Sequence, residues 1–104
     1  MPLLPTSGQV RAHIDGPTVT ILLTGELDGT AGRALLDTLR HELDRGPARI
    51  DIDLSGLIAF TEGGASALVE CRMMSAGLSD GLHYRTEGGA GQGALLAAFT
   101  DEPA

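Results

Sequence analysis

The sequence lacks lysine and tryptophan entirely, and it contains one tyrosine and two phenylalanines. Its seven cationic side chains, all arginine, stand against 14 acidic ones, which gives a net charge of −7. An acidic chain with so few cations lacks the basic surface that nucleic-acid binding and attachment to anionic membranes require. The scarcity of aromatic rings also removes most surfaces on which bases and sugars stack. We therefore expect no nucleic-acid partner and no direct membrane insertion.

Long hydrophobic runs are also missing, since none approaches the roughly 20 residues that a membrane-spanning helix needs. Residues 1–5 contain no basic side chain and no long apolar segment, so no signal peptide is expected. The single cysteine, Cys71, cannot form an internal disulfide. Together these absences predict a reducing, cytoplasmic environment.

The length of 104 residues corresponds to one domain. A hydrophobic share of 42% and a charged share of 20% predict that the chain folds. A domain of this size builds a modest core and no deep substrate cavity. We expect residues 1–104 to form a single domain with its core at about 9–99 and frayed tails at 1–8 and 100–104.

Hydrophobic periodicity predicts the element order β-β-α-β-α-β-α. The strands are expected at residues 9–14, 19–23, 49–54 and 82–86. The helices are expected from Asp28 or Thr30 to about Asp44, from about Glu62 to Ala76, and from Gly93 to Phe99. A turn signal at residues 15–18 makes the first two strands an antiparallel hairpin, and the helical crossovers make the later strands parallel.

The polar side chains of the strands indicate how many layers the fold has. A parallel sheet covered on both faces has nearly continuous apolar strands, whereas these strands alternate. We therefore predict an α/β, two-layer fold with a mixed four- to five-stranded sheet and helices mainly on one face. The residues expected on the uncovered face are Arg11, His13, Thr20, Arg49, Asp51, Asp53, His83 and Arg85. The inner stripe of the second helix is expected to comprise Ala65, Leu68, Val69, Met73 and Ala76.

Side chains able to do chemistry are few and scattered. Asp51 and Asp53 share a strand face, where two carboxylates could hold a cation or divide acid and base roles, but a solvated sheet face is the favoured interpretation. Cys71 has no base among its sequence neighbours. The three histidines lie in separate elements without the spacing of a zinc site.

A glycine-rich segment at residues 89–94 has the spacing of a dinucleotide-binding loop. That fingerprint also needs a following strand with an acidic residue about 20 positions on, and the sequence ends first. A flexible turn before the last helix is the better interpretation. We expect no catalytic residue, no metal site, no cofactor and no enzymatic activity.

Two segments carry a family resemblance. Thr24-Gly25-Glu26-Leu27-Asp28 follows the second strand, and residues 53–65 run Asp-Leu-Ser-Gly-Leu-Ile-Ala-Phe-Thr-Glu-Gly-Gly-Ala. The first resembles the Gly-Glu-Leu-Asp turn of STAS domains, the family of anti-sigma factor antagonists and sulfate-transporter cytoplasmic domains. The second aligns without gaps to the family's Asp-Leu-Ser segment and its Asp-Ser-Ser-Gly switch. The resemblance covers about residues 10–99 and implies a STAS-like fold.

The resemblance also implies a function in partner switching. Such domains dock on a kinase-type anti-sigma factor and thereby release a sigma factor, until the partner phosphorylates the serine after aspartate in the switch. A phosphate adds about 1.5–2 negative charges to the docking surface. The alternative is an accessory STAS subunit of an ATPase, a transporter or a multi-protein signalling assembly, and a homo-oligomer is compatible with either. The partner-binding residues that the resemblance implies are Glu26, Asp28, Gly29, Gly63, Gly64 and Ser66.

The sequence departs from the family at the switch itself. Thr61 stands at the aspartate, Glu62 at the phosphorylated serine, Gly63 at the next serine and Gly64 at the glycine. A register shifted by one places Glu62 on the aspartate and Gly63 on the serine, and the usual hydroxyl is missing either way. We expect no phosphorylation at the usual position. Glu62 is interpreted either as a favourable acid in the first turn of a helix or as a phosphomimetic charge, and Thr61 is the hydroxyl nearest to the switch.

Overall fold

Four strands and three helices form residues 8–99, the part of the chain that the computed structural model describes. The elements are β1 (Gln9–Asp15), β2 (Thr18–Leu27), α1 (Gly29–Leu43), β3 (Arg49–Phe60), α2 (Glu62–Met74), β4 (Gly81–Arg85) and α3 (Gly89–Phe99). This is the predicted β-β-α-β-α-β-α order. Of the predicted tails, residues 1–7 and 100–104 lie outside the described residues. None of the described helices is long and apolar enough to cross a membrane.

The strands form a single mixed sheet in the order β1-β2-β3-β4. β1 pairs antiparallel with β2 across the Gly16-Pro17 turn, whereas β2, β3 and β4 run parallel. Helical crossovers cause the parallel pairing, because α1 and α2 each return the chain to the same end of the sheet. The predicted hairpin and the predicted sheet size are therefore confirmed.

Both central strands extend further than their alternation predicts. β2 continues to Leu27 and β3 to Phe60, past the expected ends at residues 23 and 54. Register shifts between Leu22 and Thr24 and between Gly25 and Glu26 mark irregular pairing. An extra residue in a strand interrupts the two-residue periodicity, which is why the pattern stops early while the pairing continues.

The third helix begins at Gly89, four residues before the predicted start, so the prediction that residues 89–94 form a turn was wrong. A Cβ at Gly91 would lie 2.5 Å from the carbonyl oxygen of Leu54. The glycine therefore allows the first turn of α3 to pack against the backbone of β3. Close packing, rather than a flexible turn, explains a glycine at this position.

The core lies between one face of the sheet and the three helices. Its fully buried side chains come from both central strands, α1 and α2: Ile21, Leu23, Leu27, Leu35, Leu39, Ile50, Ile52, Leu54, Leu68 and Cys71. The prediction that Met73 faces the core was wrong, since this side chain is 71% exposed. Because α2 packs against both α1 and α3, its buried side is turned toward those helices. Small residues of α2, including Ala65 and Ala67, lie on that side.

The opposite sheet face is polar, as predicted. Strand pairing aligns His13, Thr20, Asp51 and His83 in one row across the sheet. Most side chains of this face are exposed or half-buried, but Asp51 is only 8% exposed. Its Oδ1 accepts a hydrogen bond of 2.8 Å from Nε of Arg49. The two-layer prediction is therefore confirmed, with one carboxylate covered by a neighbouring arginine.

Candidate functional site

Two segments that are far apart in the sequence meet at one edge of the sheet. Leu27 and Phe60 are paired at the ends of β2 and β3, and the backbone N–H of Thr61 donates to the carbonyl oxygen of Leu27 at 2.9 Å. Because α1 and α2 start directly after these strand ends, their N-termini lie side by side. We call residues 25–30 and 61–66 together the helix-start rim.

Asp28 caps the first helix of the rim. Its backbone is extended, with φ −105° and ψ −171°, and its Oδ1 accepts a hydrogen bond of 2.8 Å from the N–H of Ala31. Such a cap stabilises a helix by about 1 kcal/mol relative to alanine. The predicted capping role of Asp28 is confirmed, and its role in docking stays a prediction.

Thr61 caps the second helix in the same manner. Its backbone is extended, with φ −116° and ψ 168°, and its Oγ1 accepts a hydrogen bond of 3.1 Å from the N–H of Gly64. The only hydroxyl next to the switch position therefore already has a structural function as a helix cap.

Glu62 is the first residue of α2 and its side chain is exposed. A carboxylate in the first turn interacts favourably with the helix dipole by about 0.3–1 kcal/mol. One turn further, the exposed Ser66 donates its hydroxyl proton to the carbonyl oxygen of Gly63 at 3.0 Å. The rim thus presents the Glu62 carboxylate to solvent beside the capped helix starts.

The two adjacent glycines of the rim have different surroundings. A Cβ at Gly64 would lie 2.0 Å from the carbonyl oxygen of Leu27, a distance that no side chain tolerates. A Cβ at Gly63 would meet only ordinary contacts, at 3.9 Å to Oγ1 of Thr61 and 4.0 Å to Cα of Gly29. Gly64 is therefore required by the approach of α2 to the end of β2, whereas Gly63 is not.

A shallow groove leads from the rim along the seam between α1 and α2. Sequence reasoning missed most of its lining, which comprises Gly29, Gly32, Arg33, Leu36, Gly63, Ala67 and Glu70. Its width depends on how closely the helices approach: a Cβ at Gly32 would lie 3.0 Å from that of Ala67. In the sequence, the groove is indicated only by one small residue inside each helix, Gly32 and Ala67. Small residues occur inside helices for many other reasons, so this pattern does not predict a groove.

The remaining candidates for chemistry lie away from this rim. Burial, with a smaller contribution from the charge of Glu70, raises the pKa of the Cys71 thiol to about 12. This fully buried thiol is not a nucleophile near neutral pH. Among residues 8–99, no group of three or more His, Cys, Asp or Glu side chains is arranged to hold a metal ion.

Asp51 and Asp53 are each engaged by a neighbour. Nε of Arg49 binds Asp51, whereas Asp53 accepts hydrogen bonds from Oγ of Ser55 at 2.6 Å and from its N–H at 2.9 Å. Both bonds lower the pKa of Asp53, and the bond from the Ser55 hydroxyl contributes most. Partial burial opposes this effect but is smaller. Both carboxylates therefore have structural partners, which supports the interpretation as a sheet surface.

Comparison with known proteins gives one family and two related folds. A family model described as "Mlab, STAS domain" matches residues 10–99. The crystal structure of an anti-sigma factor antagonist from Mycobacterium paratuberculosis is similar with a TM-score of 0.72 and 21% identity, over 84% of this chain and 74% of that chain. A structure described as "Mglu" is similar with a TM-score of 0.60 and 20% identity, over 75% of this chain and 19% of that chain. No curated protein matches the sequence.

Proposed function

This chain belongs to the STAS domain family, and we propose that it is a regulatory domain that binds a kinase-type anti-sigma factor through the helix-start rim. The observation that carries the proposal is the hydrogen bond from Thr61 to the carbonyl oxygen of Leu27. It joins the turn around Asp28 and the start of α2 into one surface, and these are the two segments in which the family's docking residues lie. The fold shared with an anti-sigma factor antagonist supports the proposal.

The space around Gly64 supports the ungapped alignment of the switch. In the register shifted by one, Gly64 takes the place of the family's second serine. A serine carries a Cβ, and at Gly64 that atom would collide with the carbonyl oxygen of Leu27 at 2.0 Å. The ungapped register is therefore favoured, and it sets Glu62 at the position of the phosphorylated serine.

With Glu62 at this position, the docking surface carries a permanent negative charge. A carboxylate supplies one charge and two oxygens, whereas a phosphate supplies nearly two charges and three oxygens. A partner built to bind the unphosphorylated serine is therefore bound more weakly but not rejected. In this proposal the chain binds its partner with reduced affinity at all times, and no phosphorylation is needed to reduce it.

Thr61 does not replace the missing serine. Its Oγ1 accepts the N–H of Gly64, so a phosphate ester there would compromise the cap of α2. Its β-branched side chain is stiff, and it lies one residue before the position at which the partner acts. We therefore propose that the chain is phosphorylated neither at the usual serine position nor at Thr61.

An accessory subunit of an ATPase, a transporter or a signalling assembly is the second candidate. The exposed carboxylate of Glu62 favours it, because a subunit that never cycles needs no hydroxyl at the switch. In either case we propose a cytoplasmic, non-enzymatic protein whose partner is another protein. The family is generally non-enzymatic, and the inaccessible thiol of Cys71 supports this assignment.

A binding titration tests the proposal and separates the two candidates. Purified chain is titrated against the kinase-type anti-sigma factors of its source organism and, in parallel, against its candidate ATPase partners. Saturable binding to an anti-sigma factor that Asp28→Arg weakens by more than about tenfold supports the first candidate. If only an ATPase binds, and Asp28→Arg weakens that binding, the second candidate function replaces the first. If Asp28→Arg leaves binding unchanged, the helix-start rim is not the docking surface.

A further inference from the structure

β1 is an edge strand that the rest of the described chain leaves largely uncovered. It pairs only with β2, and all of its residues except Val10 are exposed. Ile14 lies in register with Val19 and is 48% exposed, whereas Val19, on the same sheet face, is 2% exposed. α1 contacts β1 and Val10 packs against the core, but Ala12 and Ile14 are exposed, so part of the apolar side of this edge strand is open.

The apolar side of β1 has no residue that protects an edge, although Arg11 and Asp15 place charges on its polar side. Natural edge strands are blocked by proline, by lysine or by charges that point inward. Residues 9–15 contain no proline or lysine, and the side chains on the helix side of the sheet are Val10, Ala12 and Ile14. The other edge, β4, has five residues, and its inward-facing Leu82 and Tyr84 are half-buried. Among residues 8–99, β1 is therefore the edge strand with the longer exposed apolar side.

We propose that β1 pairs antiparallel with β1 of a second copy, joining the two four-stranded sheets into one. In the register centred on Ala12, each Val10 lies opposite Ile14 of the other copy, and the small Ala12 lies opposite its own equivalent. On the polar face, Arg11 lies diagonal to Asp15 of the other copy. Diagonal neighbours about 7–8 Å apart are within reach of an arginine side chain.

This self-complementarity is the reason that the occupant is a second copy. In one register apolar side chains lie opposite apolar ones on one face. On the other face Arg11 lies opposite His13 and diagonal to Asp15 of the other copy, and the two-fold axis repeats each contact. Two strands of seven residues bury less than the about 1,200 Å² of a stable interface, so we expect a weak and reversible dimer. The proposal does not depend on the docking function, since no residue of the helix-start rim lies in β1.

Sedimentation velocity on the full chain tests the proposal. We expect the average mass to rise toward that of a dimer between about 10 µM and 1 mM protein. Ile14→Lys should weaken association by at least about tenfold. Ile58→Lys is the matched control, because Ile58 is 78% exposed outside β1, and it should change nothing.

A charge exchange tests the register itself. Arg11→Asp and Asp15→Arg each create like charges across the pair, so each variant alone should be monomeric. Mixing the two variants restores both attractive pairs, and a heterodimer should form. The proposal would be overturned if the wild-type chain stays monomeric at about 1 mM. It would also be overturned if Ile14→Lys and the charge changes leave dimer formation unchanged. Association that begins only after deletion of residues 1–7 would overturn it too, since the chain's own segment would then occupy the edge.

Discussion

The N–H of Thr61 and the carbonyl oxygen of Leu27, which are 2.9 Å apart, tie the start of α2 to the end of β2. A side chain at position 64 would strike the same carbonyl group, so the close approach of α2 to Leu27 helps to fix the geometry of the rim. Asp28, the cap of α1, follows Leu27 directly, so this contact links the two parts of the rim.

The charge of Asp28 can be separated from its capping role. Asparagine caps a helix as well as aspartate, so Asp28→Asn should leave the melting temperature nearly unchanged. It should nevertheless weaken docking by about 1 kcal/mol or more, because the carboxylate charge is lost. Calorimetric titration with the partner measures this effect. Asp37→Asn on the exposed side of α1 is the control, and an equal loss from both variants would locate the effect in the net charge of the chain.

The two adjacent glycines should respond differently to one added methyl group. Gly64→Ala should destabilise the fold by about 1–3 kcal/mol or more, because its Cβ collides with rigid backbone. Gly63→Ala has room and gains helix propensity, so it should be neutral or stabilising by up to about 1 kcal/mol. Urea denaturation of the two variants measures the difference. Equal stability would mean that α2 does not approach Leu27 as closely as described.

The buried thiol should make stability depend on alkaline pH. Burial raises the pKa of Cys71 from 9.0 to about 12, so between these values the unfolded chain loses a proton that the folded chain keeps. Stability should therefore fall as the pH rises from about 9 toward 12. Cys71→Ala should remove part of this slope while lowering stability at neutral pH. Urea denaturation at stepped pH measures it, and identical slopes in both proteins would show that the thiol is accessible.

Restoring the family's motif should restore phosphorylation. In the variant Thr61→Asp with Glu62→Ser, aspartate keeps the cap of α2 and the serine hydroxyl occupies the exposed first position of the helix. Incubation with a cognate kinase-type anti-sigma factor and ATP should add one phosphate to the variant and none to the natural chain, as measured by mass spectrometry. Phosphate on Thr61 of the natural chain in good yield would instead make it a conventional, slightly shifted switch.

The alternation of Ile50, Ile52 and Leu54 was sufficient to predict the centre of β3, because one face of this strand is buried and the other polar. Its continuation to Phe60 was not predictable, since register shifts against β2 interrupt the periodicity. The wrong prediction for Met73 has a different cause: periodicity identifies one stripe of a helix, but the packing of α2 between two other helices decides which side is buried.

The candidate site was predictable in its parts but not in its geometry. The capping roles of Asp28 and the helix start at Glu62 follow from local sequence rules. Gly64 is required and Gly63 is not because of the position of Leu27, which is remote in the sequence. The burial of Asp51, whose Oδ1 accepts a hydrogen bond from Nε of Arg49, did not follow from the alternation either.

If Glu62 places a permanent charge on the docking surface, removing that charge should strengthen binding. A calorimetric titration of the Glu62→Gln variant against the kinase-type anti-sigma factor measures this effect. Glutamine keeps the size of the side chain and removes the charge. We expect Glu62→Gln to bind about 1–2 kcal/mol more tightly than the natural chain, and the exposed control Glu87→Gln to bind like the natural chain. Unchanged or weaker binding by Glu62→Gln would show that the charge of Glu62 does not oppose docking.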